Sequence, residues 1–271
     1  MDSRAGAAGS PGTGPGTGPP LLGQGLSGKG VLCTGGAGGI GQAVAHTLAR
    51  CGASVLVADR DADGAAKVAA ALPGPGHAAL GVDLRDAAAA ERLAETAERT
   101  LGTLDVLVHL AAVLRRRALA EVTEEDWDAQ LDTNLKATFF LARACAQRIA
   151  ARGKGGRIVL FASQAWWSGG YGGSVVYAAS KGGVVSLTRG LAREYGPAGI
   201  TVNAVAPGNV DTAMLHGGLS EQALSPMLEA TPLRRLGTPQ DMAGVVAFLA
   251  SDHASFVTGT VLNASGGWLA Y

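Results

Sequence analysis

The chain reads as an α/β fold: one doubly wound parallel sheet with helices on both faces. Three observations predict it. From Leu26 onward, short apolar runs alternate with stretches of helical period. Runs such as VLVAD and DVLVHL are nearly unbroken in apolar residues, as strands covered on both faces are. The first run passes directly into a glycine cluster and then into a helical pattern.

Taken in order, about seven strands are predicted at 30–34, 53–58, 78–82, 106–110, 157–162, 201–205 and 260–263. Helices are predicted between them at 40–51, 61–72, 87–101, 124–151, 175–195, 221–230 and 239–250, the fourth dividing near Asn134. No linker-like segment interrupts the alternation, so residues 25–271 form one domain. Residues 1–24, with the repeat PGTGPGTGPP, lack apolar periodicity and read as a disordered tail. At the end of that tail, GQGLSGK nearly spells a phosphate-binding P-loop. Gly30 stands where Ser or Thr is required, and no strand precedes it.

Composition excludes several classes of function. The 271 residues carry 22 basic and 22 acidic side chains, without the basic excess of a nucleic-acid binder. No apolar run approaches the roughly 20 residues of a membrane-spanning helix. Cys33, Cys51 and Cys145 have no CxxC spacing and suit free thiols in a reducing cytoplasm. His46, His77, His216 and His253 are scattered without ligand spacing, and no metal is expected.

The glycine cluster carries the first chemical signal. Thr34, Gly35, Gly39, Ile40 and Gly41 lie between a strand and a helix. There a backbone can approach a pyrophosphate and a helix N-terminus can face its charge. Asp59 ends the second strand, eighteen residues after Gly41, where a carboxylate can accept from both adenosine ribose hydroxyls and repel a 2′-phosphate. These features predict a Rossmann-type site preferring NAD(H). Arg60 beside Asp59 keeps NADP(H) open. Asp83, followed by Leu84, is placed either to meet the adenine edge or to cap the next helix, which Asp86 could cap instead.

Tyr177 and Lys181 lie at i and i+4, on one face of a helix. A free tyrosine titrates near pH 10, so its use as a base requires help from a nearby cation. A lowering of ~3 pKa units corresponds to about 4 kcal/mol. Thr34-Gly35-x3-Gly39-x-Gly41, Tyr177-x3-Lys181, Ser163 after RIVLFA, Asn134 in DTNLK and the Pro207-Gly208 loop occur in an order that resembles the short-chain dehydrogenases/reductases. The resemblance runs from Leu26 to Tyr271. It implies Ser163, Tyr177, Lys181 and Asn134 as the catalytic set, with Asn134 positioning a water. Tyr177, Lys181, Ala111, Pro207, Gly208, Val210 and Thr212 would join the glycine loop around the cofactor. The family also implies a homotetramer, or a homodimer, built on the helices at 124–151 and 175–195.

Some positions depart from the family pattern. His109-Leu110-Ala111-Ala112 stands where Asn-Asn-Ala-Gly is usual, so a sheet-steadying asparagine contact is expected to be missing and His109 to be a packed strand residue. Ser163 lies fourteen positions before Tyr177, one more than the commonest spacing, and Gln164 takes the usual interval.

Substrate contacts are expected from Gln164, Trp166, Trp167 and Tyr171 in a glycine-rich loop, from Val113 to Arg117, and from Met214 to Arg235, a segment that the resemblance implies folds over the site. They suit a bulky or ring-bearing alcohol or ketone. Arg115, Arg116 and Arg117 read as a solvated surface run, with an acid-binding role as the alternative. The leading function is an NAD(H)-dependent alcohol dehydrogenase or carbonyl reductase. The alternatives are an NADPH-dependent 3-oxoacyl reductase and a catalytically silent NAD-binding sensor or scaffold.

Overall fold

The computed structural model describes residues 23–217 and 221–269, so the tail expected over 1–24 lies outside the described residues except for Gly23 and Gln24. The chain alternates through β1 (Gly30–Thr34), α1 (Gly39–Arg50), β2 (Ser54–Asp59), α2 (Ala62–Ala71), β3 (Ala78–Gly81), α3 (Ala87–Leu101) and β4 (Val106–His109). It continues through α4 (Glu124–Leu131), α5 (Ala137–Ala151), β5 (Gly156–Phe161), α6 (Ala165–Ser168), α7 (Val175–Tyr195) and β6 (Ile200–Pro207). Last come α8 (Ala213–His216), α9 (Glu221–Ala230), α10 (Pro239–Ala250) and β7 (Val261–Ala264). The seven strands form one parallel sheet in the order β3-β2-β1-β4-β5-β6-β7.

Strand alternation divides the core. Leu32, Leu56, Leu107, Ile158 and Leu160 face α3, α5 and α7 on one side. Val31, Val55, Val57, Val106 and Val159 face α1 and α10 on the other. Both sheet faces are therefore apolar, which is why the strand sequences show no polar alternation. α10 begins with a reciprocal cap, Thr238 accepting from Asp241 N–H and Asp241 from Thr238 N–H, with Pro239 opening the first turn.

The predicted helix 124–151 divides where expected. Between α4 and α5, residues Asp132–Lys136 form a π-helical turn with Asn134 buried at its centre. The wider turn directs the Asn134 side chain toward the strand exit, where it accepts from Val113 N–H at 2.8 Å and donates to Val113 C=O at 2.9 Å. The sheet order reverses between β1 and β4, on either side of which the chain leaves in opposite directions. That opening at the carboxyl ends of the strands is where α/β sheets hold ligands.

Candidate active site

A cavity of about 750 Å³ occupies this opening. Its first half is the glycine loop. Gly35 has φ +68°, and a Cβ on it would lie 2.7 Å from the Ala111 amide nitrogen. A Cβ on Gly41 would lie 2.1 Å from the Gly35 carbonyl oxygen, so only glycine allows the loop to close under α1. Gly38 caps α1 without a side-chain hydrogen bond, and the first turn holds no acid. The helix terminus is thus arranged for an external anion. Gly35, Gly39, Ile40 and Gly41 all border the cavity.

Asp59 stands beyond the loop. Its oxygens accept from Ala37 N–H and Asp61 N–H, each at 3.0 Å, which fixes the carboxylate at the cavity wall beside Arg60. Asp83 and Leu84 line the next stretch. Asp83 is engaged by the Arg85 guanidinium, whose hydrogen bonds hold the carboxyl below its ordinary range. Asp86 accepts from Ala88 N–H and caps α3, which removes the capping alternative for Asp83. Ala111, Pro207, Gly208, Val210 and Thr212 border the same cavity. The uncapped helix end, the glycine cradle and the fixed carboxylate together fit an adenine dinucleotide. Thr34 contributes differently: its hydroxyl lies 2.7 Å from His109 Nδ1, beneath the loop.

The other half of the cavity brings Ser163, Tyr177 and Lys181 together. Ser163 follows β5, and its Oγ accepts from Ala165 N–H at 3.2 Å as α6 begins. Tyr177 and Lys181 project from the first turns of α7. Burial pushes the Tyr177 phenol up to about 12, opposed by a hydrogen bond with Ser163 and by the charge of Arg116. Burial also brings the Lys181 ammonium down to about 7. Lys181 Nζ donates to Phe161 C=O at 2.8 Å and lies 5.6 Å from the Tyr177 ring centroid. The expected lowering of the tyrosine by its lysine is therefore outweighed, in the free protein, by desolvation of both groups.

Asn134 lies behind this site, not in the cavity wall. Its side-chain amide is committed to Val113 and to Ser180 Oγ at 3.1 Å, and its backbone carbonyl accepts from Thr138 Oγ1 at 2.8 Å. His109 is a packed strand residue, as expected. Its bond to Thr34 joins β4 to β1 through side chains. Burial, and then the charge of Lys181, bring its imidazole down to about 3.

The expected substrate loop divides. Gln164, Tyr171 and Met214 border the cavity. Gln164 is steadied by donating from Nε2 to Asn209 Oδ1 at 3.1 Å. Trp166 and Trp167 do not border it: Trp166 packs against the hydrophobic core, and Trp167 turns outward on α6 with the two rings edge to face at 5.3 Å. A four-residue helix, not seen in the sequence pattern, rotates them away. Leu114 and Arg116 from the segment 113–117 and Met227 from the segment 214–235 line the cavity, as does Trp268, to which the sequence pattern assigned no contact. Among the described residues, no His, Cys, Asp and Glu side chains gather into a set able to hold a metal ion.

Residues 35–269 match the family model described as enoyl-(acyl carrier protein) reductase. The chain belongs to the short-chain dehydrogenase/reductase family. Among its short-chain dehydrogenase/reductase relatives is the (2S)-[(R)-hydroxy(phenyl)methyl]succinyl-CoA dehydrogenase subunit BbsD of Thauera aromatica, 39% identical over 246 residues, covering 90% of this chain and 98% of that protein. The 3-oxoacyl-[acyl-carrier-protein] reductase FabG of Escherichia coli K12 is 38% identical over 242 residues, covering 89% and 98%. A crystal structure from Sinorhizobium meliloti 1021, assigned to the short-chain alcohol dehydrogenases, superposes with a TM-score of 0.87 at 39% identity, covering 92% of this chain and 98% of that one. The chain is thus an oxidoreductase-family member with a single Rossmann-type domain.

Proposed function

We propose that this short-chain dehydrogenase/reductase transfers a hydride between NAD(H) and a secondary alcohol or ketone, with Tyr177 as general acid/base. One observation carries the reading: Ser163, Tyr177 and buried Lys181 line one end of the cavity that also contains the glycine loop and Asp59, with Lys181 Nζ 5.6 Å from the Tyr177 ring centroid. When bound, the nicotinamide supplies the hydride acceptor or donor. In alcohol oxidation, Tyr177 takes the hydroxyl proton as the carbinol hydrogen leaves with its electron pair. In reduction, it returns that proton to the carbonyl oxygen. Ser163 holds the same oxygen, and Lys181, when protonated, draws the phenol toward ionisation. Asn134 keeps the strand exit in place, and its π-helical turn is where we place the water of a proton path. The names of these two relatives, BbsD and FabG, describe the same pair of groups, a secondary alcohol that is oxidised and a ketone that is reduced.

Turnover of secondary alcohols with NAD⁺, followed by NADH absorbance, tests the reaction. Tyr177→Phe is expected to lower kcat by about a hundredfold to ten-thousandfold while changing NADH affinity far less. Unchanged turnover in that variant sinks the assignment of Tyr177, whereas no turnover in the unsubstituted protein with NADH bound favours a silent cofactor-binding role. A second reading, an NADPH-dependent 3-oxoacyl reductase, draws on Arg60, which borders the cavity beside Asp59 and contributes to holding Asp83 ionised. Asp59 weighs against it. By family likeness, the assembly we propose is a homotetramer or homodimer joined through α5 and α7.

A further inference from the structure

The three consecutive arginines have different surroundings. Arg115 pairs with Glu125 at 3.1 Å and Asp126 at 3.3 Å, and Arg117 pairs with Asp126 at 3.2 Å. Arg116, between them, has no carboxylate partner among the described residues. Its Nη1 donates to two backbone carbonyls, Tyr171 at 3.2 Å and Gly172 at 3.4 Å. The adjacent Arg117 N–H donates to Gly173 C=O at 3.0 Å, pinning the segment after β4 to the glycine-rich loop. The guanidinium is therefore held at the cavity wall and is half-buried there.

Charge is unevenly distributed along the cavity. Its two carboxylates, Asp59 and Asp83, lie at the ends of β2 and β3, on the dinucleotide side of the sheet. Around Ser163 and Tyr177 the described lining contains cations, Arg116 and Lys181, and no acid. The charge of Arg116 reaches the Tyr177 phenol. Leu114, Met214 and Met227 supply apolar wall in the same space. An arginine fixed by neutral carbonyls retains donors for a planar, bidentate anion, the geometry of a carboxylate.

We infer that Arg116 binds a carboxylate of the substrate, making the substrate a hydroxy acid or the matching oxo acid with an apolar body. The inference rests on the proposed reaction and specifies its substrate class. A thioester carrier also bears anions, but its phosphates lie at the far end of a long pantetheine arm. The carboxylate assignment places the anion within the cavity that holds Tyr177.

Acetoacetate, levulinate and benzoylpropionate, each compared with its methyl ester, test this in the full chain with NADH. The acids are expected to be reduced with lower KM than their esters. Arg116→Met should raise KM for the acids about tenfold to a hundredfold more than for the esters, whose smaller change reads the loosened loop and the altered Tyr177 phenol. An equal change for acids and esters overturns the carboxylate assignment. Arg116→Lys should recover part of the difference, since it keeps the charge and loses the fork. Calorimetric binding of benzoylpropionate to the Tyr177→Phe protein with NAD⁺ should show the same dependence on Arg116 without turnover. NADH fluorescence titration and unfolding midpoints establish that each variant is folded and binds cofactor. Esters reduced as well as acids by the unsubstituted protein overturn the carboxylate assignment and leave the oxidoreductase reading standing. So does a loss in Arg116→Met that falls on acetoacetyl-CoA but spares the free acids. Absence of turnover with every ketone and alcohol, despite bound NADH, defeats the reaction itself and the inference with it.

Discussion

In the proposed reading, Asp59 would set cofactor choice through charge held in place. Both oxygens already accept from backbone amides, at Ala37 and Asp61, so the carboxylate cannot swing aside to admit a phosphate. Its remaining lone pairs suit ribose hydroxyls, while a 2′-phosphate would meet a fixed negative charge. Asp59→Asn keeps an oxygen for one backbone partner and removes the charge. The expected result is NADH binding weakened by about tenfold and NADPH binding strengthened by a similar factor. Fluorescence titration of both dinucleotides measures it. If the unsubstituted protein prefers NADPH by tenfold, the role of Asp59 is misread and Arg60 governs the pocket.

Elements carry the site only where their ends are shaped for it, and glycine reveals which ends matter. At the start of α1, a methyl group on Gly41 would collide with backbone, the Gly35 carbonyl at 2.1 Å. Gly190 near the end of α7 is exposed, and a methyl group there would have no neighbour within 4 Å. Gly41→Ala should therefore cost about 1–3 kcal/mol in urea unfolding and abolish most NADH binding. Gly190→Ala should stabilise by about 0.5–1 kcal/mol with binding intact. Equal effects from the two substitutions would show that the loop yields easily and is not a fixed cradle. The same contrast explains what was readable in the sequence. Buried parallel strands and an amphipathic helix leave local patterns, so all seven strands and the break at Asn134 could be placed within one or two residues. The rotation of Trp166 and Trp167 by α6, and the approach of Arg116 and Trp268 to the cavity, depend on loops meeting across the sheet. No local period encodes those meetings.

For the molecule as a whole, burying basic groups beneath the site couples stability to pH. His109 bridges two central strands with its imidazole at about 3, against an ordinary value of 6.5. Between those values the unfolded chain takes up a proton that the folded chain refuses, so stability is lost as pH falls below about 6.5 toward 3. Lys181, at about 7 against 10.5, acts in the same direction at higher pH: between these values only the unfolded chain holds the proton. The histidine contribution can be isolated because Asn at position 109 can still bond Thr34 and does not titrate. Each such group contributes a slope of at most about 1.4 kcal/mol per pH unit. Urea unfolding at pH 7 and pH 5 is expected to show a steeper loss in the natural protein than in His109→Asn, even though the substitution lowers stability at pH 7 by leaving space in the core. Comparing slopes separates titration from packing, since a cavity costs the same at both pH values. Equal slopes would mean that His109 becomes protonated without unfolding, through an opening of the β1–β4 seam, and that the sheet beneath Tyr177 is less closed than its packing indicates.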